Sequence, residues 1–281
     1  MRVVITRPAG DAQVWVDALE AAGYDALALP LIDVAPAAHQ PPVAHAWAQW
    51  FDWQAVMFVS AQAVRYFFES QPEAMRSDAG VATSHTWAHG PRCWATGPGT
   101  HKALLQAGVP DACIDSPPAD AAQFDSESLW QRVSCQVQTG KPVLIVRGHD
   151  VETSTETHAF SERPQDNPNP GTGRDWLAQQ LNAAGASAHF VVAYERRAPI
   201  WTVAQKDQAH QAATDGSVWC FSSSQAIAHL AQALPAQRWA QARCIATHAR
   251  IAKTAQTLGF GEVHSARPSL GDVLRSLESL A

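Results

Sequence analysis

The sequence predicts an α/β protein of doubly wound parallel sheets, made by tandem duplication of one unit. Three observations carry this. Short apolar runs alternate with segments of helical period, the pattern of parallel strands and crossover helices. A strand–helix–strand stretch at residues 3–36 returns at residues 143–194. Two further strand openings then recur in the same order in each half.

In the first stretch, the run Val3-Val4-Ile5 stops at the polar corner Thr6-Arg7-Pro8. A helix follows, with Asp11 expected as its N-terminal cap and Trp15, Ala18, Leu19 and Ala22 at helical spacing. Gly23 ends it, because glycine takes the left-handed C-terminal conformation without penalty. Residues 27–32 have the length and flanks of a buried parallel strand. Downstream, residues 143–148 repeat strand and corner, 176–185 repeat helix and glycine, and 190–194 repeat the second strand. The strand-to-helix turn at 58–64 is echoed at 221–227, matching Ser60 to Ser223 and Gln62 to Gln225. Residues 93–96 are echoed at 244–247, each followed by a short helix closed by Gly108 or Gly259. A last strand (112–115 and 262–265) and a last helix opening at Ser126 or Ser269 complete each set, Ser269 and Asp272 reading as a capping box.

The spacers do not fall between the repeats. The stretch 35–45, rich in Pro, Ala and His, and the stretch 195–199 sit at equivalent points after the second strand of each repeat. Cutting there predicts one discontinuous domain (1–34 plus 198–281), one continuous domain (40–192), and two connections at 35–39 and 193–197. Residues 149–173 are polar, acidic, rich in Pro and Asn and without period, and are expected to form a mobile inserted loop.

Composition narrows the function. The 281 residues suffice for two domains with their own cores. A net charge of −6 and the lack of any Lys/Arg run argue against nucleic acid as a partner. No apolar run is long enough to span a bilayer, and a first strand opening at Val3 leaves no room for a signal peptide. Cys93, Cys113, Cys135, Cys220 and Cys244 form no CxxC pair and are expected to be reduced structural thiols of a cytoplasmic protein.

In an open parallel sheet, ligands bind beyond the carboxyl ends of the strands, at helix N-termini. Those ends carry Thr6-Arg7, Ser60 to Gln62, Thr96 to Thr100, Arg147, Ser222 to Gln225 and Thr247 to Arg250. They are hydroxyls, amides and arginines, suited to carboxylates or phosphates or simply to capping helices. Residues 97–100 lack the GK[ST] ending of a P-loop, and no G-x-G-x-x-G, GxSxG or HExxH is present. His85 and His89 have no third ligand nearby in sequence and suit the surface. From the residues alone, the expectation is a cofactor-free cleft between two domains for a polyanionic organic ligand.

Six segments, in this order, resemble the uroporphyrinogen-III synthase family: TRPAG at 6–10, Ser60-Ala61-Gln62-Ala63-Val64, ATGPGT at 95–100, Phe124-Asp125-Ser126-Glu127, LIVRG at 144–148 and Tyr194-Glu195-Arg196-Arg197. The resemblance implies two flavodoxin-like domains joined by a two-stranded linker. It implies as substrate hydroxymethylbilane, a linear tetrapyrrole bearing many carboxylates. Closure to uroporphyrinogen III inverts the last ring and releases water, through an azafulvene and a spiro-pyrrolenine. No metal or other cofactor is implied, and a monomer is expected. By matching position, Ser60, Gln62, Thr100 and Ser223 are the implied substrate contacts and Tyr194 the implied proton donor. Where the family pattern has a GPxT-type turn, Thr247-His248-Ala249-Arg250 stands instead, so Arg250 is expected to replace a hydroxyl there. Arg7 and Arg147 suit either carboxylate binding or a structural role at the strand–helix corner. The contrasting class is a non-catalytic two-domain sensor or binding module for a polyanion.

Overall fold

A computed structural model describes residues 1–75, 87–118, 124–151 and 175–280. His85 and the greater part of the expected 149–173 loop lie outside the described residues. The chain divides into two compact units, residues 1–34 with 197–281, and residues 35–196.

The first unit holds a five-stranded sheet of β1 (Arg2–Ile5), β2 (Asp25–Ala28), β9 (Val218–Phe221), β10 (Arg243–Ala246) and β11 (Glu262–Ser265), in the order β11-β10-β9-β1-β2. Every neighbouring pair is parallel. Adjacent residues of β1 point to opposite faces, and both faces are covered, as a parallel sheet requires. Val3 and Ile5 pack with Leu19 of α1 (Ala9–Ala21) and with Val273 and Leu277 of α10 (Leu270–Glu278). Val4 packs on the other side with residues of α7 (Val203–Ala212), α8 (Ser224–Ala233) and α9 (Ala249–Leu258), among them Ala209, Ile227 and Ile251.

The second unit has the sheet order β3-β8-β7-β4-β5-β6, with β3 (Asp33–Pro36), β4 (Ala55–Phe58), β5 (Arg92–Ala95), β6 (Ile114–Asp115), β7 (Pro142–Asp150) and β8 (Ser187–Arg197). The chain crosses between units within β3 and at the end of β8. Counted from the start of each repeat, both sheets run 2-1-3-4-5, the flavodoxin-like order, with a topological switch point between strands 1 and 3. In the second unit that point lies between β7 and β4. One face of this sheet packs on α5 (Ser126–Val133) and α6 (Trp176–Ala183) through Met57, Ile145, Leu129 and Leu181. The rings of Trp47 in α2 (Pro41–Ala48), of Trp50, and of Phe67 and Phe68 in α3 (Ala61–Glu69) form an aromatic cluster that Phe58 of β4 joins. Helix α4 (Pro98–Gln106) follows β5.

Several local expectations are corrected. Pro8, not Asp11, occupies the N-cap of α1, and Asp11 lies in the first turn, where a carboxylate still favours the helix dipole. The strand expected at 27–32 is Asp25–Ala28; beyond it the Leu29 and Leu31 N–H groups still bond to the Ile5 and Thr6 carbonyls. The spacer at 35–45 includes the start of α2, which Pro41 and Pro42 open from its first positions, where proline lacks no needed hydrogen bond. The inserted segment does not begin at His149. That residue and Asp150 belong to β7, paired with Glu195 and Arg196.

Cys93 and Cys244 are the second residues of β5 and β10 and are buried, as is Cys220. Burial pushes the Cys93 thiol far above its ordinary range and the Cys220 and Cys244 thiols to about 12. Since the thiolate is the nucleophile, iodoacetamide at neutral pH is expected to label exposed Cys135 in the native protein and these three only after unfolding. Peptide mapping that found Cys220 labelled as fast as Cys135 would contradict this burial. No helix among the described residues is long and apolar enough to cross a membrane.

Candidate functional site

In the second unit the carboxyl edge of the sheet builds a pair of hydroxyls at the switch point. β4 ends at Phe58, and two residues later Ser60, in extended conformation, caps α3 by accepting the Ala63 N–H at 3.1 Å. Tyr194, near the end of β8, places its phenol oxygen 3.1 Å from Ser60 Oγ. The residues are 134 apart in sequence, and either oxygen can donate. The Tyr194 ring is buried, stacks on Tyr66 of α3 at 5.9 Å between centroids, and has the Arg196 guanidinium 5.8 Å above it. Arg196 in turn pairs with Asp150 at 2.6 Å. When the serine donates, the phenol proton is free for a ligand; once that proton has left, the same serine hydrogen stabilises the phenolate. This is the geometry that a supported proton donor requires.

A register break makes this possible. Along β7 and β8, Arg147 faces Val192 but Gly148 faces Tyr194, so a bulge skips Ala193 and re-aims the tyrosine. Phe58 pairs with Val146, so two residues on Ser60 comes level with Gly148. Ser60, Gly148 and Tyr194 thus stand in one row across three strands.

Other expected residues lie at or near the same edge in different circumstances. Thr100 is buried in the first turn of α4, and the neighbouring Thr96 hydroxyl donates to the Val59 carbonyl at 3.3 Å. Gln62, in the first turn of α3, lines a groove of about 640 Å³ along α3 and α4, and its buried Oε1 has no hydrogen-bond partner among the described residues. Arg147 lies within β7. Its guanidinium is buried, bonds Asp175 at the start of α6 at 3.0 Å and stacks 4.1 Å above Phe190. These contacts tie β7 to the start of α6.

In the first unit, Thr6 donates to the Cys220 carbonyl at 2.6 Å, tying the ends of β1 and β9. Arg7 lies with its guanidinium 4.2 Å above the Trp15 ring and has no ion pair among the described residues. Burial lowers its pKa, with the Asp11 charge acting in the opposite sense. Ser223 caps α8 through the Gln225 N–H at 3.2 Å, and the buried Ser224 hydroxyl beside it has no hydrogen-bond partner among the described residues. Arg250 is exposed in the first turn of α9, whose cap is the imidazole of His248, accepting the Arg250 N–H at Nδ1. Beyond β2 the Leu31 carbonyl accepts from buried His229.

Gly148, Tyr66 and Asp175 were not singled out from the sequence. A glycine within an apolar strand run is a signal of close approach, and Gly148 was available as one; Tyr66 and Asp175 carry no such mark. Among the described residues no group of three or more His, Cys, Asp or Glu side chains could hold a metal ion. His89 is exposed.

A family model described as uroporphyrinogen-III synthase HemD matches residues 13–156 and 168–275. The structure is similar to uroporphyrinogen-III synthetase from Helicobacter pylori, with 16% identity and a TM-score of 0.54 over 100% of both chains. It is also similar to a mutant uroporphyrinogen III synthase from Thermus thermophilus, with 13% identity and a TM-score of 0.51 over 99% of this chain and 98% of that one. At such identities these two likenesses concern the fold. No curated protein matches the sequence.

Proposed function

The chain belongs to the uroporphyrinogen-III synthase family, and we propose that it closes hydroxymethylbilane to uroporphyrinogen III as a cofactor-independent lyase, with Tyr194 as proton donor. The observation that carries the residue assignment is the Tyr194–Ser60 hydroxyl pair at the switch point of the second unit. Loss of the substrate hydroxyl breaks a C–O bond and needs a proton, which a phenol, protonated near neutral pH with a reference pKa of about 10, can supply. The electron pair leaves with oxygen, water departs, and the azafulvene remains in its protonated, cationic form beside the phenolate. The phenolate accepts the Ser60 hydrogen until the proton lost as the last ring regains aromaticity restores it, so water is the net product. Attack through the substituted carbon of that ring, rather than the free one, is a matter of holding the chain folded.

The substrate is a polyanion and the protein carries a net charge of −6, so its carboxylates need local partners. The side chains of Ser60, Gln62, Thr100, Ser223, Arg7 and Arg250, with the helix N-termini beside them, supply these partners in this proposal. Arg7 and Arg250 have no ion pair among the described residues, which leaves each free to meet a carboxylate. Arg147 is assigned to holding β7 against α6. The cytoplasm is the proposed compartment.

Incubation with hydroxymethylbilane and separation of product isomers tests the activity. A type III fraction well above that formed without protein is expected. A protein that binds the tetrapyrrole yet leaves only the spontaneous, uninverted isomer would be a binding module instead.

A further inference from the structure

The phenol of Tyr194 reaches Ser60 only by lying across the strand between them. β8 and β4 are separated by β7, roughly 9–10 Å from strand to strand. The row Tyr194–Gly148–Ser60 puts a glycine under the crossing point. Gly148 is buried, and a Cβ built on it would stand 2.6 Å from Tyr194 Cε2 and 2.8 Å from its Oη, and closer still to Cζ. Real side chains do not come so near. The glycine is not needed for its backbone, since its φ lies outside the left-handed range. It is needed for the space above it.

We infer that Gly148 is a positioning residue for the reaction: its missing side chain is the slot in which the Tyr194 ring lies, and any larger residue displaces the phenol from Ser60. Three features converge on it. The bulge at Ala193 turns the ring toward β7. The slot over Gly148 lets the ring pass. The Ser60 hydroxyl and the Tyr66 ring meet its far end and a neighbouring surface. The first unit lacks this arrangement, because Pro8 follows Arg7 where Gly148 follows Arg147, and α1 begins at once. The proton-donor slot is therefore confined to one of the two repeats. The inference rests on the reading of Tyr194 as the proton donor.

Gly148→Ala, Tyr194→Phe and the double variant separate the possibilities. Gly148→Ala is expected to lower kcat by about 10- to 100-fold, part of what a positioned general acid supplies, with KM little changed. In the double variant the clash with the ring persists but there is no phenol left to misplace, so its rate should equal that of Tyr194→Phe alone. If the two losses multiply, Gly148 acts by some route other than the phenol and the inference falls. A Gly148→Ala enzyme with wild-type kcat, beside a slow Tyr194→Phe enzyme, would overturn the slot while leaving the donor assignment intact. Tyr194→Phe at wild-type rate would remove the donor assignment itself, and the inference with it. Should Gly148→Ala fold poorly, stability decides. Its melting temperature should drop by roughly 3 to 10 °C, whereas in a Tyr194→Leu background, which lacks the atoms in conflict, Gly148→Ala should cause little further drop. An equal drop in both backgrounds would show that the ring is not what fills the space.

Discussion

Tyr194→Phe is expected to lower the rate of type III formation by about 10²-fold, the low end of what general acid assistance contributes. The substitution keeps the ring, its stacking on Tyr66 and its place over Gly148, and removes only the donor. Ser60 loses one partner but retains the Ala63 N–H, so no buried hydroxyl is orphaned. The stability cost should therefore stay near that of one neutral hydrogen bond, about 1 kcal/mol. Water at the site can take over part of the protonation, which is why the low end is expected. As the catalysed route slows, spontaneous closure competes, and the uninverted isomer should rise as a share of product. Steady-state rates with isomer separation, alongside a melting curve, read all three quantities. A folded variant with wild-type turnover would remove the phenol from the mechanism and leave positioning as the whole of the catalysis.

Trp219→Ala should have the opposite profile, with stability lost and the chemistry of the folded fraction kept. Trp219 lies in β9, the central strand of the first unit, and is fully buried. Its ring meets Phe221, Trp239 and Phe260 at centroid distances of 6.0, 5.5 and 6.4 Å, and its Nε1–H donates to the Ala212 carbonyl at the end of α7 at 3.1 Å. Truncating a buried tryptophan costs about 3–5 kcal/mol in transfer and cavity terms. The unpaired carbonyl adds roughly 1 kcal/mol or more. Against a total of about 5–15 kcal/mol for an ordinary domain, that is enough to shift denaturant unfolding to a much lower midpoint. Trp219→Phe, which fills most of the volume and loses the hydrogen bond, should fall between. A midpoint for the alanine variant within about 0.5 kcal/mol of wild type would mean that the aromatic cluster is not the core of this unit.

The two units also show what duplication retained. Both sheets keep the order 2-1-3-4-5, and Ser60 and Ser223 both cap a helix at the switch strand. The cores diverged: the first unit centres on Trp219, Trp239 and Phe260, the second on Trp47, Trp50 and Phe67 carried by α2, the residues after it and α3. The corner after the first strand diverged too, with Gly148 following Arg147 in one repeat and Pro8 following Arg7 in the other.

What the sequence determined by itself was local or periodic. Apolar runs of strand length, helical spacing, Gly23, Gly185 and Gly259 in left-handed conformation at helix ends, and the Ser60, Ser223 and Ser269 caps follow from interactions spanning a few residues. Their repetition in order yielded the doubly wound class. Errors arose where a local rule met a tertiary constraint. Asp11 is a good cap by type, but Pro8 was placed there by the corner leaving β1. His149 and Asp150 belong to a polar stretch, but β8 holds them in the sheet. Tertiary structure alone decided the site. Arg147 could have met a ligand or a neighbour until folding brought Asp175 to it. The Tyr194 phenol meets the Ser60 hydroxyl through one skipped residue and one absent side chain. A bulge shifts register by a single residue, and register is a property of paired strands, so no periodicity within either strand could have announced it.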